Sequence, residues 1–166
     1  MLRAGLTPEL VRIGTPFTVI AEDMIGEEDG GIDWIAASPG GVAWVVLIEP
    51  GPGAAALLEQ GLVQRAWVEH RLRDWCQLAP GLSLRPELPA RALLIARDFA
   101  RATRLAARDA AGEAIVLARW SGDPGRPALE ALPGIPRPRP ERQSAPPPAR
   151  LTSVFRSGLT DSDLSH

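Results

Sequence analysis

Two patterns of apolar and polar positions follow one another along the chain, and the change falls near residue 54. Before it, short runs rich in β-branched and aromatic residues are bounded by glycine and proline, which is typical of strands. These runs predict strands over 17–21, 32–37 and 42–49. Because Ser-Pro-Gly-Gly separates the last two, and this sequence is a turn signal, they are predicted to pair as an antiparallel hairpin.

After residue 54 the apolar positions recur at steps of three and four, which predicts a helix over 54–77. Its apolar face consists of Leu57, Gly61, Val68, Leu72 and Trp75. A glycine inside a helix costs up to about 1 kcal/mol relative to alanine. Gly61 is therefore expected to weaken this helix.

The next elements alternate between strand and helix. An apolar run predicts a buried strand over 90–97, and Asp98 is a suitable N-cap for a helix that continues to about residue 109. A last strand is predicted over 114–120. The order (α)βββαβαβ predicts an α/β fold, in which helices flank a mixed β-sheet that contains the antiparallel hairpin.

The composition changes after Trp120. Residues 121–150 are rich in proline and arginine and poor in apolar residues, which predicts a disordered or polyproline linker. Residues 151–166 regain apolar residues, and they form either a short docking segment for a protein partner or a frayed chain end. The predicted core domain therefore covers residues 1–120.

Composition limits the class of protein. Hydrophobic residues make up 45% of the chain, enough for a packed core, and the single cysteine, Cys76, has no partner for an internal disulfide. A reducing cytoplasmic location is therefore expected. No apolar run is long enough for a membrane-spanning helix, so no membrane partner is expected. The sequence leaves the oligomeric state open.

Charge is unevenly distributed. All 18 basic residues are arginine, and the net charge of the whole chain is −2. Residues 1–50 carry most of the negative charge, whereas 51–108 carry a basic excess. A dedicated nucleic-acid-binding protein usually has a strong overall basic excess, which this chain lacks. The acidic cluster within 22–33 either gathers metal ions or is a solvated turn.

Each strand of the predicted hairpin carries one carboxylate, Asp33 and Glu49. Two carboxylates on neighbouring strands can hold Mg²⁺, which takes oxygen ligands and keeps several waters. If Asp33 lies opposite Leu47, Glu49 is its diagonal neighbour on the same face; if Asp33 lies opposite Val46, Glu49 points to the other side. The sequence fits both registers, and ordinary charges at strand ends would also explain both residues.

The run FTVIAEDMIGEEDGGIDWIAASPGGVAWVVLIEPG resembles the core of the PD-(D/E)XK nuclease superfamily, and the resemblance extends over about residues 15–120. Asp33 in GIDWIA matches the metal-binding Asp, and Glu49 in LIEPG matches the Glu of the Glu-x-Lys element. Glu22 falls where an additional acidic residue often stands. The resemblance implies a restriction-endonuclease-like fold and Mg²⁺-dependent hydrolysis of phosphodiesters, with these three residues as metal ligands.

The helix after the hairpin resembles the Gln-x-x-x-Tyr helix of that superfamily. Gln60 matches the Gln, and Gln64 stands at the Tyr position, either as a wall of the site or as a core residue bonded to backbone. The Lys of Glu-x-Lys falls on Gly51, and the chain contains no lysine. Arg65 and Arg71 are the arginines considered as replacements. Loss of this lysine implies weak or absent hydrolysis, since a positioned acid–base group contributes about 10²–10⁴ in rate.

Four arginines recur along the second predicted helix at steps of three and four: Arg97, Arg101, Arg104 and Arg108. They form either a surface for the phosphates of a nucleic acid or a solvated helix face. Two hypotheses follow. The first is a nuclease-like protein with a degenerate metal site that binds nucleic acid or a protein partner. The second is a non-catalytic interaction module that keeps only the fold.

Overall fold

A six-stranded mixed sheet forms the centre of the computed structural model, and the strands lie side by side in the order of the chain. The strands are β1 (Thr18–Ile25), β2 (Gly31–Ala37), β3 (Ala43–Ile48), β4 (Arg91–Ala96), β5 (Ile115–Asp123) and β6 (Arg126–Ala131). The helices are α1 (Leu2–Leu6), α2 (Ala55–Leu78) and α3 (Arg101–Ala111), with 3-10 helices at Thr7–Ile13 and Pro80–Leu82. The structure describes residues 2–13, 17–27, 30–51, 54–111 and 114–133. The predicted α/β class is confirmed.

The strand directions follow from the connections between them. Strands β1, β2 and β3 pair antiparallel, as do β5 and β6. Strand β4 lies parallel to both β3 and β5, because helices α2 and α3 provide the two crossovers. The predicted hairpin is confirmed as β2–β3. None of the helices in the described ranges combines the length and the apolar composition needed to cross a membrane.

Helices α2 and α3 cover one face of the sheet. The buried face of α2 contains Leu57, Gly61, Val68 and Leu72, as the helical period predicts. Gly61 has a packing role, because a Cβ at this position would lie 2.6 Å from Leu94 Cδ2 of β4. The glycine that was expected only to weaken the helix therefore allows α2 to approach the sheet closely.

The N-terminal segment covers the opposite face. Leu6 and Leu10 are buried against a second apolar cluster that includes Trp34 of β2, Trp120 of β5 and Leu129 of β6. The sheet is thus covered on both faces. This explains why β3 and β4 are continuous apolar runs rather than alternating ones.

The end of the sheet differs from the prediction. Strand β5 continues to Asp123, and β6 lies inside the stretch 121–150 that was expected to be a disordered linker. Pro124 and Gly125 form the two-residue turn between them, and alternate positions of β6, Pro127 and Leu129, are buried. The composition rich in proline and arginine that suggested disorder belongs here, up to Pro133, to a hairpin turn and an edge strand, both of which tolerate proline. Residues 134–150 and 151–166 lie outside the described residues.

Candidate functional site

An open cleft of about 300 Å³ lies at one edge of the sheet. Strand β1 ends at this edge, β2 begins there and β3 ends there, because β2 runs antiparallel to both of its neighbours. Its polar side chains are Arg3, Asp23, Asp33, Glu49 and Gln60, and these five residues define what we refer to as the acidic cleft. The cleft therefore brings together residues from α1, all three strands and α2.

The register of the β2–β3 hairpin places Asp33 and Glu49 in the same cleft. Trp34 pairs with Val46, and continuing this register by one residue places Asp33 opposite Leu47. Of the two registers that fit the sequence, this is the one that makes Glu49 the diagonal neighbour of Asp33. Both side chains line the acidic cleft. The arrangement needed for a shared cation is thus present at the level of the backbone.

Both carboxylate oxygens of Asp33 already have partners. Asp33 Oδ2 accepts a hydrogen bond of 2.7 Å from the backbone N–H of Ile48, and Oδ1 forms an ion pair with Nη2 of Arg3. Only 12% of the Asp33 side chain is exposed. Burial raises the pKa of Asp33; the Ile48 N–H and the positive charge of Arg3 act in the opposite direction but do not cancel this effect, and the nearby charge of Asp23 adds to it.

Glu49 is held in place mainly through its backbone. Its N–H donates to the carbonyl of Ile95 at 2.8 Å, and its carbonyl accepts a 3.5 Å hydrogen bond from Nε1 of Trp120. The side chain turns towards the following residues, and Oε1 accepts a 2.8 Å hydrogen bond from the N–H of Gly51. A Cβ at Gly51 would lie 3.2 Å from this same oxygen. A lysine at the position expected from the nuclease resemblance would therefore require Glu49 to shift.

Arg3 is the residue that sequence reasoning missed. Its Nη1 pairs with Asp23 of β1 while Nη2 pairs with Asp33 of β2. The two arginines considered as replacements for the lysine lie elsewhere. Arg65 donates to the carbonyl of Ala90 and to Glu69, and the guanidinium of Arg71 stacks 4.2 Å from the Trp67 ring centroid. No local pattern could have selected Arg3, because it reaches the cleft only through the packing of α1.

Glu22, the expected additional metal ligand, is exposed and pairs with Trp34 along the β1–β2 ladder. Its neighbour Asp23 lines the acidic cleft instead. Strand β1 contains an irregularity between Val19 and Ala21, and Asp23 adopts a positive φ of 49°. These two departures from regular strand geometry change which acidic side chain reaches the cleft.

Two glutamines of α2, Gln60 and Gln64, hold the β1–β2 connection. Gln64 is buried, and its amide makes both of its hydrogen bonds to Glu27, accepting from the N–H at 3.0 Å and donating to the carbonyl at 2.8 Å. Gly26 and Gly30 lie so close to this amide that a Cβ at either position would overlap it. Gln64 is thus a core residue bonded to backbone, which was one of its two interpretations. Gln60 lines the acidic cleft and donates to the carbonyl of Gly31 at 3.3 Å.

The four arginines near α3 do not share one environment. Arg97 is exposed, and its guanidinium lies 3.9 Å from the Trp120 ring centroid. Arg101 is exposed at the start of α3, whereas Arg104 and Arg108 are half-buried, and Arg104 donates to the carbonyl of Pro133 at 3.5 Å. The predicted phosphate-binding surface of four arginines is therefore not uniform, because two of its side chains are exposed and two are half-buried.

In the acidic cleft, other groups of the protein already engage the carboxylates that a bound Mg²⁺ would need. Among the described residues, no three acidic, histidine or cysteine side chains are grouped so that they could hold a metal ion. Both oxygens of Asp33 are engaged, and the single guanidinium of Arg3 pairs with both Asp23 and Asp33.

Comparisons with family models, curated proteins and solved structures give no match to this chain.

Proposed function

We propose that this protein is a PD-(D/E)XK nuclease-like domain with a degenerate metal site, and that it acts as a binding module rather than as a hydrolase. The element order and the mixed sheet agree with the restriction-endonuclease-like arrangement implied by the sequence. The observation that carries the proposal is the state of Asp33. It shares a cleft with Glu49, as a nuclease site requires, yet Arg3 and the Ile48 N–H engage both of its oxygens.

The chemistry of phosphodiester hydrolysis explains why such a site is inactive. In the nuclease superfamily that the chain resembles, a metal ion stabilises charge on the phosphate and generates hydroxide. Arg3 supplies a positive charge, but a guanidinium stays protonated and cannot shuttle a proton. Gly51 replaces the lysine that the resemblance places near the attacking water. The cleft thus keeps the carboxylates of a nuclease without the groups that would use them.

The charges in the described structure favour a protein partner over a nucleic acid. Three carboxylates and one arginine line the acidic cleft, so the cleft repels phosphate groups. Of the arginines near α3, Arg104 is bonded to the carbonyl of Pro133, and Arg97 is stacked on Trp120. A nucleic acid bound along α3 would have to share or replace these contacts.

A weak Mg²⁺-dependent endonuclease is the second candidate function. The specific observation in its favour is that Asp33 and Glu49 lie in one cleft that is open to solvent. In this case a divalent cation would have to displace Arg3 from Asp33 before any cleavage.

Nicking of supercoiled plasmid in Mg²⁺ or Mn²⁺ separates the two candidates. We expect the wild-type protein to nick DNA no faster than Asp33→Asn and Glu49→Gln, which remove the charges of the proposed ligands. Metal-dependent nicking by the wild type that disappears in both variants would establish the endonuclease and overturn the binding-module proposal.

The expectation that the protein does not bind nucleic acid is tested by fluorescence anisotropy, with labelled single- and double-stranded oligonucleotides at low and physiological salt. We expect no saturable binding at physiological salt. Saturable binding that weakens in Arg97→Gln and Arg101→Gln, but not in Arg3→Gln, would instead assign nucleic-acid binding to the α3 arginines.

A further inference from the structure

Arg3 is the one basic side chain that lines the acidic cleft in the described part of the chain, and it connects two strands. One guanidinium nitrogen pairs with Asp23 and the other with Asp33, so the cation lies between the two carboxylates. We infer that Arg3 is an autoinhibitory counter-cation, which keeps divalent cations out of the cleft by occupying their place. The inference rests on the proposed function, because it explains why a nuclease-like pair of carboxylates does not take up metal.

The backbone that carries Arg3 is held independently of its ion pairs. Leu6, on the same helix, is fully buried in the cluster that includes Trp120 and Leu129. Gly5 lies against β6 so closely that a Cβ there would be 2.6 Å from Cδ of Pro127. Replacing only the Arg3 side chain should therefore leave α1 in place. A change in cation binding can then be assigned to the lost charge.

The net charge of the acidic cleft depends on Arg3. With Arg3 present, the ionised carboxylates of Asp23, Asp33 and Glu49 are opposed by one permanent positive charge. Without it, three carboxylates face a cleft with no cationic side chain among the described residues that line it. A divalent cation would then gain attraction from all three acids and would lose the repulsion of the guanidinium.

The guanidinium of Arg3 is partly open to solvent. About half of the Arg3 side chain is exposed, at 49%, and Asp23 is still more exposed. Exposed ion pairs contribute little to stability because water and salt screen them. Water and salt therefore screen part of the contribution of these ion pairs to stability, so a substitution of Arg3 should act mainly on the charge of the cleft.

Mn²⁺ binding to the full-length chain tests the inference directly. The loss of the free Mn²⁺ signal in electron paramagnetic resonance measures binding without any cleavage assay. We expect Arg3→Gln to bind Mn²⁺ at least about tenfold more tightly than the wild type, since a positive charge next to the ion is removed. Arg101→Gln removes an exposed charge that does not line the cleft, and this variant should bind Mn²⁺ like the wild type.

Two further variants make the result independent of one substitution. Arg3→Met keeps the aliphatic stem of the side chain and should give the same gain as Arg3→Gln, so that the test does not depend on the folding of a single variant. Adding Asp33→Asn to Arg3→Gln should abolish the gain, because it removes the carboxylate that Arg3 neutralises.

The outcomes separate this inference from the proposed function. Equal Mn²⁺ affinities for the wild type and both neutral Arg3 variants would overturn the autoinhibitory role. A gain that persists after Asp33→Asn would overturn it as well. A gain in affinity without plasmid nicking supports the inference and leaves the binding-module function standing. Nicking by the wild type contradicts that function, and the Mn²⁺ affinities of the Arg3 variants then decide the role of Arg3 separately.

Discussion

At the residue scale, Asp33 is subject to opposing influences from its surroundings. Its burial beside the end of β3 disfavours a negative charge, whereas the N–H of Ile48 and the guanidinium of Arg3 favour one. The pKa of Asp33 is raised, so burial outweighs the two favourable contacts. The ion pair with Arg3 therefore offsets a cost of burial instead of adding a surplus of stability.

This balance predicts the pH dependence of Asp33→Asn. Because the pKa is raised in the folded protein, the ionised form destabilises the fold at pH values above the folded pKa, and this penalty disappears as the pH falls below the ordinary value of 3.8. We expect Asp33→Asn to be at least as stable as the wild type at neutral pH, with the advantage shrinking in acid. Urea unfolding across this pH range measures the difference in the free energy of unfolding.

Glu87→Gln is a control of opposite sign for that experiment. Its own backbone N–H and the side chain of Arg85 lower the pKa of Glu87, so its carboxylate stabilises the fold above the ordinary value of 4.5. That contribution is lost as the pH falls through the lowered folded pKa. Glu87→Gln should thus be slightly less stable than the wild type at neutral pH.

An Asp33→Asn protein that is clearly destabilised at neutral pH would show that the Arg3 ion pair outweighs burial.

At the scale of elements, α2 connects the core to the acidic cleft. Its apolar face packs on the sheet, with Gly61 at the closest approach to Leu94. From the same helix, Gln64 fixes the backbone of Glu27 and Gln60 reaches the carbonyl of Gly31. The position of the β1–β2 connection, and with it that of Asp23 and Asp33, therefore depends on how closely α2 lies on the sheet.

Gly61→Ala tests this close approach. In an exposed helix the substitution would stabilise the protein by up to about 1 kcal/mol. Here the added Cβ would lie 2.6 Å from Leu94 Cδ2, and overpacking of this kind typically costs about 1–3 kcal/mol. We expect the free energy of unfolding in urea to fall.

Gly81→Ala is the matched control for Gly61→Ala. A Cβ at Gly81 meets nothing within 4 Å, so its stability should change little. If Gly61→Ala instead raised stability, helix propensity would outweigh packing, and the helix would have room to move away from β4.

At the scale of the whole molecule, the two ends of the described chain are packed together. Helix α1 and the 3-10 helix after it contact β6, and Leu129 of β6 belongs to the same apolar cluster as Leu6 and Leu10. The strand that composition assigned to a linker thus covers the N-terminal segment, and that segment carries Arg3 to the acidic cleft. The folded unit in the described structure extends to Pro133 rather than ending at Trp120.

This extension predicts the behaviour of two truncated chains. A chain that ends at Trp120 lacks β6 and leaves the apolar side chains of the N-terminal segment partly uncovered. A chain that ends at Pro133 keeps β6 and its contacts with that segment. We expect the shorter chain to be less stable by several kcal/mol, since removing one buried leucine side chain costs about 2–5 kcal/mol. Tryptophan fluorescence during urea unfolding measures the difference.

Leu129→Ala in the full chain is a milder form of the same test, and it should lower the free energy of unfolding by about 2–5 kcal/mol. Equal stability of the two truncated chains would show that β6 is not part of the cooperative unit.

The sequence by itself determined the α/β class, the hairpin and the helical face of α2. Each of these depends on the local pattern of apolar residues. Strands β3 and β4 are continuous apolar runs because both of their faces are covered, and α2 repeats its apolar positions with each turn. Periodicity gives a weaker signal for β6, because its sequence Arg-Pro-Ala-Leu-Glu-Ala contains a proline and only one large apolar residue, and only two alternate positions are buried.

Tertiary structure decided the details of the candidate site. The register that places Asp33 with Glu49, the hydrogen bonds of Gln64 to Glu27 and the approach of Arg3 to Asp23 and Asp33 all join residues far apart in the chain. A one-residue slip of the hairpin would have separated the two carboxylates. The position of Arg3 depends on the apolar packing of α1 against β6, the edge strand at the opposite end of the strand order from β1. No pattern within α1 specifies this packing.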